Sequence, residues 1–269
     1  MSTLATDTAG LRLPGPLEAA VLEGKEVWPV APDRPPLTSE EVHVWRFVLD
    51  LEDGGASRLE AILEPRERER AARFRFRRDR ERYVAARGAL RQILGRYLDT
   101  RPEEVRFQYE AQGKPRLAGE SPPGGIRFNL AHSQALAVYA VARGREVGID
   151  VELVRPEVAR EGIERRFFSR AEADDLAGTA EEVRPEAFFR CWTSKEAYAK
   201  ARGNGLSLSL DAFTILTQAD GKVRLLAAPE PGETARWSFH CFCPAEGYVS
   251  SLAVEGAGWH ARFWEHRIR

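Results

Sequence analysis

The stretch VGIDVELV, residues 147–154, decides how the fold is interpreted, because it is apolar except at Asp150 and Glu152. Side chains alternate along a strand, so the two acids point to one face, roughly 7 Å apart, while the aliphatic residues share the other. Neighbouring carboxylates repel each other unless they face open water, share a proton or hold a cation. The stretch therefore predicts either a solvated strand end or an acidic site.

The composition is that of an ordinary globular protein: the 269 residues are 43% hydrophobic and 30% charged, with a formal net charge of −1. This is enough apolar chain for one large domain or two ordinary ones. The balanced charge argues against a protein that coats nucleic acid. The sequence has no run of roughly 18 apolar residues and no signal-peptide pattern at its N-terminus, which favours a cytoplasmic protein without a membrane span.

The order of patterns along the chain predicts a repeated architecture. Residues 1–36 are rich in proline, glycine and small side chains and are expected to form an N-terminal arm. After it, a strand, a long helical region and several antiparallel-looking strands are followed by a second round of helices and strands. We expect an α+β fold with two similar halves, residues 37–143 and 144–269, each with an antiparallel sheet packed on a long helix.

A second informative stretch is WTSKEAYAKARGNGLSL, residues 192–208. On a helix, Glu196 and Lys200 stand four residues apart on one face, with Trp192 one turn earlier and Gly203 and Gly205 ending the helix. A surface ion pair of this kind contributes only about 0.3 to 0.5 kcal/mol. The surrounding aromatic residues make this helix mostly apolar, however, which favours charges that point into a cleft.

Three further stretches admit simple structural interpretations. FNLAHS, residues 128–133, places His132 and Ser133 at the end of a strand, where a histidine usually has a structural role. In QGKPRL, Lys114 lies in a turn between glycine and proline. Residues 64–82 form a basic helical region with nine arginines and five acidic residues, typical of a solvated surface or of nucleic-acid binding.

The order of these motifs is more specific than any one of them. A basic helix, then G-K-P, F-N-x-x-H-S, G-I-D-x-E and W-T-x-K-E-A-x-x-K-x-x-G-x-G-L resembles the 4′-phosphopantetheinyl transferases, in particular the larger surfactin-synthetase-activating type, over residues 63–254. The resemblance implies transfer of the phosphopantetheine arm of coenzyme A to a carrier-protein serine, with release of adenosine 3′,5′-bisphosphate. It also implies that the two halves form a pseudo-dimer with coenzyme A in the cleft between them.

The resemblance assigns the acidic motifs to metal binding and catalysis. It implies that Asp150, Glu152 and Glu196 are ligands of Mg²⁺, with Mn²⁺ as the alternative because both ions accept the same oxygen ligands. Lys200 is expected to contact the pyrophosphate and to act in catalysis together with Asp150 and Glu196. Glu196 is a further candidate for accepting the serine proton.

The resemblance assigns the other polar groups to the nucleotide and phosphates of coenzyme A. These candidates are Arg70, Arg82, Lys114, His132, Ser133 and Lys200. An arginine suits the 3′-phosphate because it forms two charge-assisted hydrogen bonds with it. The chain departs from the family at two positions: Ala131 stands where a serine is common, and Glu67 stands where a lysine is common, so one hydroxyl and one outer phosphate contact are expected to be missing.

Two other interpretations remain open at this point. The chain could bind nucleic acid through its arginine-rich helix, or it could be a different metal-dependent transferase that uses a nucleotide. Under the favoured interpretation the protein is a monomer without nucleic-acid or membrane partners. Its partners are coenzyme A and an apo acyl or peptidyl carrier protein of fatty-acid, polyketide or nonribosomal peptide synthesis.

Overall fold

A computed structural model describes residues 26–52, 54–110, 113–119, 124–160, 162–203, 208–217 and 222–268. Residues 1–25 of the predicted arm and Gly205 of the predicted helix end lie outside these ranges. The described end of the arm runs along the body of the protein. There, Trp28 packs edge-on against Phe263 with ring centroids 4.9 Å apart, and Val30 bridges to Glu265.

The elements follow the two predicted rounds of helices and strands. The first round consists of β1 (Glu41–Val48), α1 (Gly55–Ala61), α2 (Pro65–Ala72), α3 (Arg77–Leu98), β2 (Phe107–Tyr109), β3 (Pro115–Leu117), β4 (Ile126–Ser133) and β5 (Leu136–Arg143). The second consists of β6 (Val147–Leu153), α4 (Glu164–Phe167), α5 (Arg170–Gly178), α6 (Arg184–Arg202), β7 (Thr214–Thr217), β8 (Val223–Ala227), α7 (Glu233–Arg236), β9 (Trp237–Phe242), β10 (Tyr248–Glu255) and β11 (His260–Glu265).

The first sheet has the strand order β11-β1-β5-β4 and carries α3 on one face. Strand β1 pairs antiparallel with β5 but parallel with β11, which the sequence did not predict as a strand. Trp45 and Tyr139 project from the sheet into the same buried cluster as Leu90 and Leu94 of α3. The long helix is thus held by apolar burial, at roughly 25 cal/mol per Å² of apolar surface.

The second sheet, β6-β10-β9, is entirely antiparallel, and α6 packs on it. Gly148 of β6 allows the close approach of the helix, because a Cβ on this residue would lie 2.0 Å from the carbonyl oxygen of Ala197. Two short hairpins, β2 with β3 and β7 with β8, flank the sheets. The helix backbone therefore lies directly over the acidic strand.

The two sheets pack face to face through a shared apolar core that includes Val42 and Val44 of β1 and Val147 and Ile149 of β6. The Asn129 amide oxygen accepts a hydrogen bond of 2.9 Å from the backbone N–H of Ile149, which ties β4 to β6. The layers run α3, first sheet, second sheet, α6, so the predicted α+β class with two helix-on-sheet halves is confirmed. No helix in the described ranges is long and apolar enough to cross a membrane.

Candidate active site

Strand β6 separates its apolar and polar residues as the alternation predicted. Val147, Ile149 and Val151 are buried in the core between the sheets. The opposite face of the strand carries Gly148, Asp150 and Glu152 toward α6, as the contact between Gly148 and the backbone of that helix requires. The two acids thus lie where the strand meets the helix that bears Glu196 and Lys200, not at a solvated strand end.

Asp150 is an almost completely buried carboxylate, 6% exposed. Its Oδ1 accepts a 2.6 Å hydrogen bond from the Lys200 ammonium, which also reaches the carbonyl oxygen of Ile149 at 3.4 Å. Its Oδ2 is buried and forms no hydrogen bond with any group in the described part of the chain. Burial raises the pKa of Asp150, and the nearby Lys200 opposes that rise.

Glu152 lies one strand position further along and is held by the end of β4. The Ser133 hydroxyl donates a 2.7 Å hydrogen bond to Oε2 of Glu152 and accepts a 3.2 Å hydrogen bond from the backbone N–H of Leu153. Burial raises the pKa of Glu152, and repulsion from Asp150 adds to the rise. Ser133 therefore orients Glu152 rather than projecting freely into solvent.

Glu196 of α6 belongs to the same electrostatic cluster. Burial first, and then repulsion from Asp150 and Glu152, raise the pKa of Glu196, while Lys200 lowers it. The structure thus brings the three predicted carboxylates into one cluster, although up to 46 positions separate them in the sequence. Across the described ranges, no three such side chains already form a ready-made metal cage.

The donor set nevertheless fits a hard divalent cation. Three carboxylates with one ammonium leave two negative charges in a half-buried place, and the Oδ2 of Asp150 is buried without a hydrogen-bond partner within the described ranges. Carboxylate oxygens are the ligands that Mg²⁺ and Mn²⁺ prefer. A cation bound by Asp150, Glu152 and Glu196 would relieve their repulsion and satisfy that oxygen.

His132 stands beside this cluster at the exposed end of β4. Desolvation by surrounding protein atoms lowers the pKa of His132, and the positive charges of Lys200 and Arg82 lower it further, while Asp150 raises it. Arg82 of α3 is therefore close enough to act on the same ring. An anion near His132 would be attracted by the positive charges of Arg82 and Lys200.

Arg82 forms a bidentate ion pair with Asp50, which lies just after β1. Its Nε and Nη2 donate hydrogen bonds of 2.6 and 2.7 Å to the two carboxylate oxygens of Asp50. The hydrogen bond from Arg82 lowers the pKa of Asp50. Sequence reasoning missed Asp50, because an acid that follows a strand is common and only the fold brings it to Arg82.

A lysine that contacts phosphate is expected to be open to solvent, but the Lys114 ammonium is bound to protein groups. Its ammonium donates hydrogen bonds to the backbone carbonyl oxygens of Lys200 and Ala201, at 2.7 and 3.4 Å, and lies 3.7 Å from Glu146. These carbonyls end α6, where a cation is favoured by the helix dipole. Burial lowers the pKa of Lys114. The lysine therefore braces the helix that carries Glu196 and Lys200.

A cavity of about 690 Å³ lies next to α2 on the arginine-rich side of the protein. Its lining includes three arginines, three acids and three aromatic residues: Arg66, Arg70, Arg73, Glu67, Glu69, Glu110, Phe74, Tyr83 and Tyr109. The Arg70 guanidinium lies 5.7 Å from the centre of the Tyr83 ring. Flat aromatic rings and guanidinium groups around one cavity suit a planar base with attached phosphates.

Glu67, which stands where the family often has a lysine, also lines this cavity, but its carboxylate is bonded within the protein. It is 1% exposed and accepts hydrogen bonds from Arg87 at 2.8 Å and Arg91 at 2.6 Å. This buried cluster fastens α2 to α3.

Trp192, quoted in the helix motif, packs between Phe167 and Phe188 as part of an aromatic core.

Comparisons with known proteins agree with the motif order. Residues 146–253 match the 4′-phosphopantetheinyl transferase superfamily, and residues 56–143 match the N-terminal region of a 4′-phosphopantetheinyl transferase. The chain is 39% identical over 242 residues to the 4′-phosphopantetheinyl transferase HetI of Nostoc sp., covering 90% of this chain and 99% of that protein. It is 30% identical over 168 residues to the 4′-phosphopantetheinyl transferase Sfp of Bacillus subtilis, covering 62% of this chain and 72% of that one. The chain therefore belongs to the 4′-phosphopantetheinyl transferase family.

Proposed function

We propose that the protein transfers the 4′-phosphopantetheine group of coenzyme A to a serine of an apo acyl or peptidyl carrier protein and releases adenosine 3′,5′-bisphosphate. The observation that carries the proposal is the meeting of Asp150, Glu152 and Glu196 with Lys200 at the junction of β6 and α6. Such a cluster is suited to a pyrophosphate with its cation, as found in coenzyme A.

In the proposed reaction, the carrier serine oxygen bonds to the pantetheine-side phosphorus. The bond from this phosphorus to the bridging oxygen breaks, and the nucleotide phosphate leaves with the electron pair. Lys200 is placed to stabilise the negative charge that develops there. Asp150, Glu152 and Glu196 would hold a Mg²⁺ ion, which would add charge neutralisation at the pyrophosphate.

The serine proton needs an acceptor, and Glu196 is the carboxylate proposed for this role. Glu196 lies in the same electrostatic cluster as Asp150, Glu152 and Lys200, so its carboxylate would lie near the reacting pyrophosphate. The proton passes from the serine hydroxyl to a Glu196 carboxylate oxygen, directly or through one water. Glu196 thus belongs both to the acidic cluster and to the chemical step.

The nucleotide part of coenzyme A is proposed to lie against the first half. Arg82 and His132, beside Lys200, would meet phosphate groups, and Ser133 would hold Glu152 while contributing to the same polar edge. Arg70 and its cavity would receive the adenine nucleotide. Lys114 would act mainly through α6, because its ammonium is already bonded to the end of that helix.

Several arginines of the basic region are already paired with acids, which weakens the nucleic-acid interpretation. Arg77 pairs with Glu81, Arg80 with Glu60, and Arg82 with Asp50. Each of these contacts reduces the positive charge offered to a nucleic-acid backbone. These pairings favour a protein without a nucleic-acid partner, and the proposal keeps the expected monomer and cytoplasmic location alongside it.

A ligand screen tests this proposal against both alternatives. The unfolding temperature is measured with Mg²⁺ and coenzyme A, dephospho-coenzyme A, ATP or a DNA duplex. Coenzyme A at 100 times its dissociation constant should stabilise the protein by about 2.7 kcal/mol, whereas ATP and DNA should have little effect. Equal stabilisation by ATP would favour another nucleotide-using transferase, and stabilisation by DNA that disappears with salt would favour nucleic-acid binding.

A further inference from the structure

A buried ion pair outside the acidic cluster fixes the helix that carries Glu196. We propose that Glu172 and Lys195 form a positioning node, in which the pair sets the rotation and height of α6 so that Glu196 meets Asp150 and Glu152. The inference rests on the proposed function, because it assigns the node a purpose in metal and coenzyme A binding. Neither residue contacts the substrate, so both are positioning residues.

The lysine of the node is fully enclosed. Lys195 has no exposed side-chain surface, and its ammonium donates hydrogen bonds of 2.5 and 2.7 Å to the two carboxylate oxygens of Glu172. A third hydrogen bond of 2.7 Å reaches the backbone carbonyl oxygen of Phe213, whose ring centre is 4.2 Å from the ammonium. All three ammonium protons therefore have acceptors.

The glutamate of the node caps its own helix and joins it to a further strand. Its Oε2 accepts a 2.7 Å hydrogen bond from the backbone N–H of Ser169, the N-cap of α5, and its Oε1 accepts a 2.6 Å hydrogen bond from the backbone N–H of Ile215 in β7. One carboxylate thus ties α5, α6 and β7 together. Because Lys195 lies on α6 and Ile215 on β7, the node fixes the geometry of both elements relative to α5.

Lys195 and Glu196 are consecutive on α6, so their side chains leave the helix about 100° apart. While Lys195 is anchored toward α5 and β7, Glu196 is directed to the carboxylates of β6. On the side that faces β6, the helix backbone packs against Gly148, so α6 cannot move closer to the strand. A rotation of α6 that misplaced Glu196 would therefore have to break the node.

A buried ion pair of this kind is a poor device for stability alone. Removing two charges from water costs several kcal/mol per ion, and well-packed apolar residues often replace such pairs without loss. Some groups orient metal-ligating side chains without binding the metal themselves. Their removal lowers metal affinity by roughly 10- to 100-fold. The node fits the second role, because it holds the residue adjacent to a proposed ligand.

The test separates positioning from stability with the double variant Lys195→Met/Glu172→Gln. Met fills the space of the lysine stem, and the new amide can accept one backbone hydrogen bond and donate to the Phe213 carbonyl. Each single variant, Lys195→Met or Glu172→Gln, leaves a buried charge unpaired and should lower the unfolding temperature strongly. The double variant leaves neither charge and should regain most of the lost unfolding temperature.

The decisive readout is the Mg²⁺ concentration that gives half of the coenzyme A-dependent rise in unfolding temperature. If the node positions Glu196, the double variant needs roughly tenfold more Mg²⁺ than wild type despite its recovered stability. A double variant with wild-type stability and wild-type Mg²⁺ requirement would overturn the proposal. Tyr139→Phe, which removes a buried 3.0 Å hydrogen bond to Ala86 in the other half, should lower stability without changing the Mg²⁺ requirement.

A second variant covers the case in which the double variant fails to fold. Lys195→Arg keeps the charge but changes the length and shape of the donor, so it should fold and still raise the Mg²⁺ requirement. An unchanged requirement in Lys195→Arg would overturn the proposal. Wild type is assayed in parallel for coenzyme A-dependent stabilisation and transfer to a carrier: failure of wild type counts against the proposed function, whereas a normal wild type with unaffected variants counts against the node alone.

Discussion

The carboxylate of Asp150 on β6 and the ammonium of Lys200 on α6 are 2.6 Å apart, joined across the junction of strand and helix. This contact uses Oδ1 of Asp150, while Oδ2 is buried without a hydrogen bond in the described part of the chain. Lys200 therefore compensates the charge of a buried acid and leaves one of its oxygens available to a ligand.

Replacement of Lys200 by Met should destabilise the protein when no divalent cation is present. The change leaves Asp150 buried beside two other carboxylates without its cation, and we expect a loss of about 1 to 3 kcal/mol in unfolding free energy. Urea denaturation in EDTA measures it. Arg68→Met, at an exposed arginine of α2, is the control and should change stability by less than about 0.5 kcal/mol. Equal effects of the two changes would contradict a compensating role for Lys200.

Replacement of Glu152 by Gln should weaken metal binding without disturbing the fold. The amide keeps the size of the side chain and can still accept the Ser133 hydrogen bond, but it removes a negative charge from the cluster. The Mg²⁺ concentration for half-maximal transfer should rise by roughly tenfold or more. The surface variant Glu157→Gln, five residues further along, should leave it unchanged. An unchanged requirement in Glu152→Gln would exclude Glu152 from the metal site.

Replacement of Arg82 by Ala should weaken coenzyme A binding by roughly 1.5 to 3 kcal/mol, the range for hydrogen bonds to a charged group. If Arg82 meets the 3′-phosphate, dephospho-coenzyme A should bind wild type more weakly but lose little further affinity on mutation. The two changes should therefore be strongly non-additive in a double-mutant cycle measured by calorimetry at fixed salt.

Arg77→Ala and Arg80→Ala are the matched controls, because both arginines lie on α3 and pair with exposed or half-exposed glutamates. A general electrostatic effect of the basic region would make all three replacements act alike on both ligands. Equal losses for coenzyme A and dephospho-coenzyme A in the Arg82 variant would remove this residue from the 3′-phosphate site.

His266 should make the stability of the protein fall in mild acid. Burial lowers the pKa of His266 from 6.5 to about 3, so the unfolded chain binds a proton that the folded chain excludes. The stability that this group contributes is present above pH 6.5 and is lost progressively as the pH falls toward 3. In urea denaturation between pH 4 and 6, His266→Gln should reduce the pH slope of unfolding free energy by about 1.4 kcal/mol per pH unit. An unchanged slope would mean that His266 titrates normally.

Much of the fold could be predicted from alternation and helical spacing. The strand around Asp150 and the helix around Glu196 were found because their apolar residues recur with periods of two and of three to four. Strand β11 was missed, because its alternation covers only residues 260–263 and breaks where Trp264 is followed by Glu265. Its parallel pairing with β1 joins residues more than 200 positions apart, which local patterns do not report.

The candidate site was predictable where residue type alone limits the chemistry. The D-x-E strand and the K-E helix predict carboxylate ligands, and the fold brings these carboxylates together. The placement of Lys114 was not predictable, because its contact with the end of α6 depends on how the two halves pack. The partners of Asp50 and Glu67 were not predictable either, since an acid in an arginine-rich protein acquires its partner only through the tertiary fold.

The central claim is tested most directly by mass spectrometry of apo-carrier proteins incubated with the protein, coenzyme A and Mg²⁺. We predict that a carrier gains the mass of one phosphopantetheine group on its serine, and that Glu196→Ala, folded as judged by circular dichroism, reduces the rate at least about 100-fold. Asp150→Ala should behave similarly. Transfer by Glu196→Ala at the wild-type rate, or no modification of any acyl or peptidyl carrier by wild type, would contradict the account.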